Sequence, residues 1–538
     1  MKNIFKYIAG TLLASFVIAS CHEDKGNYDY LSEDELKGQI IRIDTTGVGD
    51  NKYAFSRKYN PGDSINFPIK VHYPYQEDLK YSWIVYDYPY SSVPVGNTSI
   101  YPKPDTISHE RDLAWEVNLK AGWHKCHFIV QDTVRGLSAS MDMGGYFTIN
   151  APGSRPGVMI LSEYDGQTDI AYYSSLLCLI YEDDVMVPHY YSQELGHGML
   201  PGKPLFMGFS GDSYDGGYYY VFTEENAYRL NFEGLELMET FDQMFYQVPE
   251  KYAPQAMCNI NNCEFLINDG KLHVLYTNKG NDRKFSAPIS GNYNAASYLS
   301  TATRKSSSPS GKINADQVIF DLDNKKFRPY YPQANEISEF GPTIANAYVD
   351  VNNIPGTPLA ILAAEAGSTY AIMLEGDVPY LYHANFYNAV DDGDLSADGA
   401  NSKIDLSGCE NIKEAKYFQA NYNGSAFFYA TDKTLYSFSP TTGQTTSRTI
   451  YTCSGDEEIT CVSIFFNHAS GGFPTPGVAL WLGLWEESKK EGKLLEWEID
   501  TYDGVPTVMY GPWFGAEREE VPFVTTGFGK IKSIVSVD

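Results

Sequence analysis

The sequence is poor in basic residues. Its 40 lysines and arginines stand against 68 aspartates and glutamates, which gives a formal net charge of −28 at pH 7. Proteins that bind nucleic acids or anionic lipid headgroups do so with clusters of basic side chains. The composition therefore argues against nucleic acid as a partner, and attachment to a membrane would need another device.

The sequence also lacks the short motifs of common catalytic sites. It has no His-Glu-x-x-His, no glycine-rich phosphate loop and no Gly-x-Ser-x-Gly elbow. The 68 acids are so many that a pair of glycosidase carboxylates cannot be picked out from the sequence. We predict a protein without enzymatic activity, and keep as an alternative a hydrolase or polysaccharide lyase with acids in a central pocket.

Cysteines are few and irregularly spaced. Of the eight cysteines one is Cys21, and the other seven are Cys126, Cys178, Cys258, Cys263, Cys409, Cys453 and Cys461. An odd number without a repeating spacing is not a disulfide framework, and the lack of Cys-x-x-Cys disfavours a zinc site. Local pairing of Cys258 with Cys263 and of Cys453 with Cys461 stays open, beside the alternative of buried free thiols.

The N-terminal segment has the pattern of an exported lipoprotein. Lys2 and Lys6 accompany an apolar run, Ile8–Ala19, that is too short to span a bilayer and is typical of a signal peptide. Ile18-Ala19-Ser20-Cys21 then resembles a bacterial lipobox, in which the cysteine receives the lipid. We therefore predict a lipoprotein signal peptide over residues 1–20 and lipidation of Cys21.

The segment after this cysteine is acidic and carries a family resemblance. Asp24-Lys25-Gly26-Asn27-Tyr28-Asp29-Tyr30 is similar to the opening of the PKD-like lipoprotein family of Bacteroidota, and the run resembles their surface-export signal. The resemblance implies a multiply acylated anchor in the outer membrane, facing the cell exterior. It also implies a SusC/SusD-like transporter as partner. We interpret residues 21–38 as an acidic tether.

Residues 39–150 are predicted to form one β-sandwich of the immunoglobulin or PKD-like type. Turn signals separate short strand-like runs: Ile40–Ile43, Ser64–Val71, Lys80–Tyr86, Ala114–Leu119, His124–Asp132 and Gly145–Ile149. Tyr81-Ser82-Trp83 followed by His124–Asp132 resembles the PKD-like core, and this resemblance implies that Trp83 lies in the core. The proline- and glycine-rich segment 151–157 is predicted to be a linker.

Residues 158–538 contain a repeated hairpin pattern that opens at Val158–Gly166. The later hairpins pair Tyr218–Thr223 with Ala227–Phe232, Cys263–Ile267 with Lys271–Thr277, Val318–Phe320 with Phe327–Tyr331, Tyr370–Leu374 with Tyr380–His383, Ser425–Ala430 with Thr434–Ser439, and Val478–Leu484 with Lys493–Ile499. A period of about 50 residues predicts a β-propeller-like domain of about seven blades. Two or three further sandwiches are the alternative. The strand Gly529–Val537 is expected to pair beside residues 157–161, and the whole chain is predicted to be all-β.

Aromatic residues make up 14% of the chain, including 43 tyrosines. Rings with a polar edge suit sugars and peptides, although most rings in a β-protein pack in its core. The candidate ligand-binding residues are Trp513, Phe514, Tyr214, Tyr218 and Tyr219.

One acidic loop is a candidate calcium site. Asp392, Asp394, Ser396 and Asp398 alternate as oxygen ligands do in calcium loops, but the loop lacks the sixth-position glycine and the twelfth-position glutamate of an EF-hand. His189 and His197, near Glu194, are a weaker metal candidate. Together these features predict a cell-surface lipoprotein that binds or presents a glycan or peptide nutrient, or alternatively a purely structural transporter subunit.

Overall fold

The computed structural model describes residues 40–46, 54–60, 62–88, 93–95, 98–100, 104–119, 122–144, 146–149, 157–174, 185–211, 217–232, 234–260, 263–277, 282–300, 315–342, 348–364, 367–386, 402–440, 444–465, 478–507 and 522–537. The chain divides into two compact units, 1–150 and 151–538. The fold is all-β, as predicted. Helical turns include Gln76–Asp78, Tyr190–Glu194, Phe241–Gln243 and Ile412–Glu414. The described part of the chain contains no helix long and apolar enough to span a membrane.

The first unit is built from short strands. They are β1 (Arg42–Asp44), β2 (Lys58–Tyr59), β3 (Ser64–Phe67), β4 (Lys70–His72), β5 (Leu79–Tyr88), β6 (Val93–Val95), β7 (Thr98–Ile100), β8 (Asp105–Ser108), β9 (Leu113–Glu116), β10 (Gly122–Asp132), β11 (Leu137–Asp142) and β12 (Phe147–Ile149). A six-stranded sheet has the order β2-β12-β10-β5-β8, with β11 also paired to β10, and β1 pairs with β4, β3 with β9 and β6 with β7. The sequence did not predict β8 or β11, and the run Ser64–Val71 is two strands.

Trp83 is the centre of the core of this unit, as predicted. Its side chain is fully buried, and its indole N–H donates to the carbonyl oxygen of Glu110 at 3.0 Å. Phe128 lies opposite it on β10, with ring centroids 4.5 Å apart. Along β10 buried residues alternate with half-buried or exposed ones, so one face of the sheet covers this core and the other is open to solvent.

The second unit contains longer strands. They are β13 (Gly157–Tyr164), β14 (Gln167–Ser174), β15 (Val185–Val187), β16 (Pro204–Ser210), β17 (Tyr218–Thr223), β18 (Ala227–Asn231), β19 (Leu237–Thr240), β20 (Pro254–Ile260), β21 (Cys263–Asn268), β22 (Lys271–Tyr276), β23 (Gln317–Asp321), β24 (Lys326–Tyr330), β25 (Thr357–Ala363), β26 (Ser368–Glu375), β27 (Val378–Asn385), β28 (Ser402–Asp405), β29 (Tyr417–Ala420), β30 (Phe427–Ala430), β31 (Thr434–Ser439), β32 (Gln444–Thr452), β33 (Glu457–Ile464), β34 (Ala479–Glu486), β35 (Glu491–Ile499), β36 (Pro506–Thr507), β37 (Phe523–Phe528) and β38 (Lys530–Val537). The predicted hairpins are confirmed.

Within the described residues these strands form seven antiparallel sheets, which we number along the chain. Their orders are β15-β14-β13-β38, β16-β17-β18-β19, β20-β21-β22, β23-β24, β25-β26-β27-β28, β29-β30-β31-β32 and β33-β34-β35-β36, with β37 also on β35. Strand β38 pairs with β13 along Gly157–Glu163, as predicted. Gly157, assigned to the linker, is instead the first residue of β13.

Buried hydrophobic clusters lie between sheets that follow each other in the chain. They join Leu161 to Val221, Phe222 to Leu266, Phe265 to Ile319, Phe320 to Met373, Ile372 to Phe427 and Phe428 to Leu480. A further cluster joins Ile160 of the first sheet to Trp481 of the seventh. Both faces of the middle strands are therefore covered, which explains why β21 and β30 are buried at every residue.

The cysteines of the described chain are free thiols, namely Cys126, Cys258, Cys263, Cys409, Cys453 and Cys461. The local disulfides that the sequence left open, Cys258–Cys263 and Cys453–Cys461, are therefore not formed. Burial raises the pKa of the Cys409 thiol to about 12, so it stays protonated and poorly reactive.

Glu457 at the start of β33 makes the second unit sensitive to acid. Lys493 Nζ donates to its carboxylate at 2.6 Å, and Ser454 donates through its backbone N at 3.1 Å and its hydroxyl at 2.9 Å. Burial acts to raise the pKa of Glu457, but these hydrogen bonds outweigh it and lower the pKa from 4.5 to about 2. The ionised carboxylate thus stabilises the folded state above pH 4.5, and that contribution is lost as the pH falls towards 2.

We expect Glu457→Gln to remove about 3 kcal/mol from the free energy of unfolding at pH 7 and to flatten its decline in acid. Urea denaturation between pH 2 and pH 7 measures this. The exposed carboxylate Glu410, changed to Gln, is the control. If the free energy of unfolding of Glu457→Gln declined in acid as steeply as that of the wild type, Glu457 would not be the source of the acid sensitivity.

Candidate functional site

A pocket of about 750 Å³ lies in the second unit and is the main candidate site. Its walls come from the first strands of the third, fifth and sixth sheets, β20, β25 and β29, and from the segment Ala296–Leu299. These first strands are half-buried along most of their length, whereas the second strands beside them are buried. The first strands therefore border a solvent-accessible space.

Most residues that line this pocket are apolar in type, but the surface that they turn towards it is more polar than apolar. Met257, Leu359, Ile361 and Phe418 supply apolar surface, and the described lining contains no carboxylate. Apolar walls with a few fixed polar groups are typical of small-ligand sites. The pocket therefore offers a ligand polar groups as well as apolar contacts.

Two glutamines supply the fixed polar groups. Gln255 Oε1 accepts from the backbone N of Gly270 at 2.6 Å, and Gln419 Nε2 donates to the carbonyl oxygen of Val462 at 3.2 Å. Because its amide nitrogen is held, Gln419 can offer Oε1 to a donor on the ligand. Lys416 at the pocket forms an ion pair with Asp432 at 2.6 Å.

A buried polar cluster lies between the second and third sheets and includes the predicted residue Tyr218. Glu264, fully buried, accepts from Ser210 Oγ at 2.6 Å, from the hydroxyl of Tyr220 and from Arg283 Nη1 at 3.3 Å. The guanidinium of Arg283 lies 4.4 Å from the centroid of the half-buried Tyr218 ring. Tyr218 is therefore held against a cation.

Desolvation dominates the electrostatics of this cluster. Burial raises the pKa of Glu264, against the hydrogen bonds from Ser210 and Tyr220, and burial lowers the pKa of Arg283 to about 10. Both shifts disfavour the charged forms, which only pairing can offset. The described contacts are those of a satisfied structural network.

Tyr219, predicted from the sequence to bind ligand, has no exposed surface in the structure. It is fully buried and packs in the cluster between the first and second sheets. Its neighbour Tyr220 is equally buried, on the side of the third sheet. Successive side chains of β17 point to opposite faces of the sheet, but both faces are covered by neighbouring sheets. Tyr219 is therefore buried although its side chain points away from that of Tyr220.

Other predicted site residues lie outside the described residues. They are Cys21, Tyr214, Trp513 and Phe514, and the predicted calcium ligands Asp392, Asp394, Ser396 and Asp398.

The histidines considered as metal ligands have separate partners. His189 Nδ1 lies 2.8 Å from Asp169 Oδ2, and His197 Nε2 lies 2.8 Å from the carbonyl oxygen of Gly234. Asp169 also accepts from Ser192, so it holds the turn Tyr190–Glu194. Among the described residues no group of three or more acidic, histidine or cysteine side chains is placed to hold a metal ion.

Sequence reasoning missed the pocket residues. Gln255, Leu359 and Gln419 are far apart in the chain and belong to no motif. Only their position in the chain could have indicated them, because each residue lies in the strand that precedes a predicted hairpin.

Solved structures resemble the chain only distantly. A protein from Lactobacillus plantarum is 9% identical, with 71% of this chain and 100% of that chain covered and a TM-score of 0.41. A DUF4784 family protein from Bacteroides caccae is 7% identical, with 93% and 98% covered and a TM-score of 0.28. Apo AztD from Citrobacter koseri is 10% identical, with 85% and 98% covered and a TM-score of 0.21.

No curated protein matches the chain. Residues 21–204 match the PKD-like family, which covers the first unit from Cys21 onward and the start of the second. The similarity to the PKD-like family that the sequence suggested is thereby confirmed for this part of the chain.

Proposed function

We propose that this protein is a cell-surface lipoprotein of the outer membrane that binds a glycan or peptide nutrient and presents it to a SusC/SusD-like uptake system. The pocket of about 750 Å³ in the second unit is the observation that supports binding best. The lipobox at Cys21 and the acidic run after it support the location. The protein acts here by binding, without catalysis.

The pocket gains its rigidity from the arrangement that we propose for the seven sheets, a closed β-propeller. Hydrophobic clusters link each sheet to the next, and a last one links the seventh to the first. Strand β38, from the C-terminus, completes the first sheet beside β13. First strands then surround a common axis, where a ligand is held by residues from several blades. The first unit, as a PKD-like sandwich, serves as spacer and docking unit.

Filling the pocket tests this function. Ala360, half-buried on β25, lines the pocket, and Ala360→Trp would occupy part of its volume. We expect at least a tenfold loss of affinity for the ligand with an unchanged melting temperature, since the binding of a ligand needs the space that the indole takes. Isothermal titration against panels of soluble polysaccharides and short peptides measures it.

Ala287→Trp, at an exposed position of the same unit, is the matched control and should bind as the wild type does. Wild-type protein that binds no member of either panel would overturn the binding function and leave a scaffold role. Equal binding by Ala360→Trp would remove the pocket as the site.

A further inference from the structure

Two partly exposed aromatic rings stack on each other in the first unit. Trp123 is 43% exposed and Tyr146 is 45% exposed, and their ring centroids are 4.8 Å apart with an angle of 13° between the planes. Trp123 lies near the start of β10 opposite Thr148 of β12. Single exposed aromatics are common on proteins, but a parallel pair fixes a flat apolar surface in one orientation.

Polar side chains continue from this pair along the same face of the sheet. Trp123, Lys125 and His127 alternate with the buried residues of β10, so their side chains lie on the solvent side, about 7 Å from one to the next. Lys125 Nζ lies 3.3 Å and His127 Nε2 lies 3.7 Å from Asp142 Oδ2. The hydroxyl of Tyr86 lies 2.5 Å from His127 Nε2. The row therefore offers charged and hydroxyl groups that hold each other in place.

A flat aromatic surface followed by hydrogen-bonding groups matches the chemistry of a sugar chain. A pyranose ring has a face of C–H groups that packs on an aromatic ring, and its hydroxyls need donors and acceptors at the side. Lys125 and Asp142 together contribute no net charge, and the chain as a whole carries −28. A polyanionic ligand is thus disfavoured, and so are bases of a nucleic acid, which would bring phosphates.

We propose that this face of the six-stranded sheet binds a neutral polysaccharide, with the Trp123–Tyr146 pair as its stacking platform and the row from Lys125 to His127 as its hydrogen-bonding side. The platform lies in the first unit and uses none of the residues of the pocket. It gives the first unit a binding role of its own, beyond that of a spacer, and it stands or falls independently of the pocket.

The test is native gel electrophoresis of the full chain in detergent, with laminarin, arabinoxylan, galactomannan or amylopectin in the gel and polygalacturonate as the anionic probe. We expect retardation by at least one neutral polysaccharide. Trp123→Ala should weaken it by about tenfold or more, as truncating an aromatic anchor does at an interface. Trp123→Phe, which keeps a ring to stack, should retain most of the binding. Tyr348→Ala, at a tyrosine that is 76% exposed in the second unit, is the matched control and should have no effect.

Three outcomes would overturn the platform: no retardation by any neutral polysaccharide, retardation by polygalacturonate alone, or equal retardation of Trp123→Ala and wild type. Binding of peptides that depends on Trp123 would also overturn it, because the face would then be a protein interface.

Ala360→Trp separates the two sites. If Ala360→Trp loses polysaccharide binding and Trp123→Ala retains it, only the pocket is supported. If Trp123→Ala loses binding and Ala360→Trp retains it, only the platform is supported. Equal melting temperatures show that each variant is folded.

Discussion

Ending the chain after Gly529 should abolish cooperative folding of the second unit. The deletion removes β38, which pairs with β13 from Gly157 to Glu163. It also removes Ile531, which is fully buried, and Ile534, which is 9% exposed, from the cluster between the first and seventh sheets. Loss of two buried isoleucines alone costs about 4–10 kcal/mol, against a total stability of about 5–15 kcal/mol for a typical domain.

The deletion also exposes the edge of β13, a strand whose residues are mostly buried. An unpaired apolar edge is a template for pairing with other chains, so the truncated protein should aggregate. Thermal denaturation followed by tryptophan fluorescence measures the loss, since Trp481 lies in the same cluster as Ile531. A truncated chain with the wild-type transition would contradict this account.

A point change separates packing from strand pairing. Ile531→Ala keeps the backbone of β38 but leaves a cavity, and we expect it to cost about 2–5 kcal/mol. Lys532→Ala, at the adjacent half-buried position, should stay within about 0.5 kcal/mol of wild type. Equal effects of the two changes would mean that the strand stabilises the unit through its backbone alone.

Cys21→Ser tests the proposed lipid anchor, and it should remove both the acyl label and the firm attachment of the protein to the membrane. A single acyl chain anchors weakly and several anchor firmly, so attachment should change from nearly complete to nearly absent once the thiol is lost. The net charge of −28 offers no electrostatic substitute on an anionic surface. Metabolic labelling with an alkyne fatty acid, followed by membrane fractionation, measures both effects.

Because the variant also blocks processing, the apolar segment Ile8–Ala19 stays on the chain and can hold some of it at the membrane. The acyl label is therefore the decisive readout. Cys453→Ser, at a half-buried free thiol in the second unit, is the matched control and should keep its label. Label that is retained by Cys21→Ser, or that is absent from the wild-type protein, would contradict the lipid anchor. Exposure on the cell surface would be contradicted if protease added to intact cells left the chain uncleaved.

The hairpins of the second unit could be predicted because their signals are local. Asp269-Gly270 between β21 and β22 and Gly376-Asp377 between β26 and β27 put turn residues with positive φ where the chain reverses, at Asp269, Gly270 and Gly376. Apolar runs on either side fix the strands. The core position of Trp83, which the structure confirms, was expected instead from the resemblance of Tyr81-Ser82-Trp83 to the PKD-like core.

The sequence by itself determined the all-β class and the hairpins, since turn residues and strand patterns act between neighbours in the chain. Only the tertiary structure decided which residues meet. Tyr219 is buried because the first sheet covers a face that the sequence left open. Gln255, Leu359 and Gln419 share a pocket because strands far apart in the chain stand side by side there. Trp123 and Tyr146 form one platform through the pairing of β10 with β12. Such contacts depend on packing between distant segments, which no local pattern encodes.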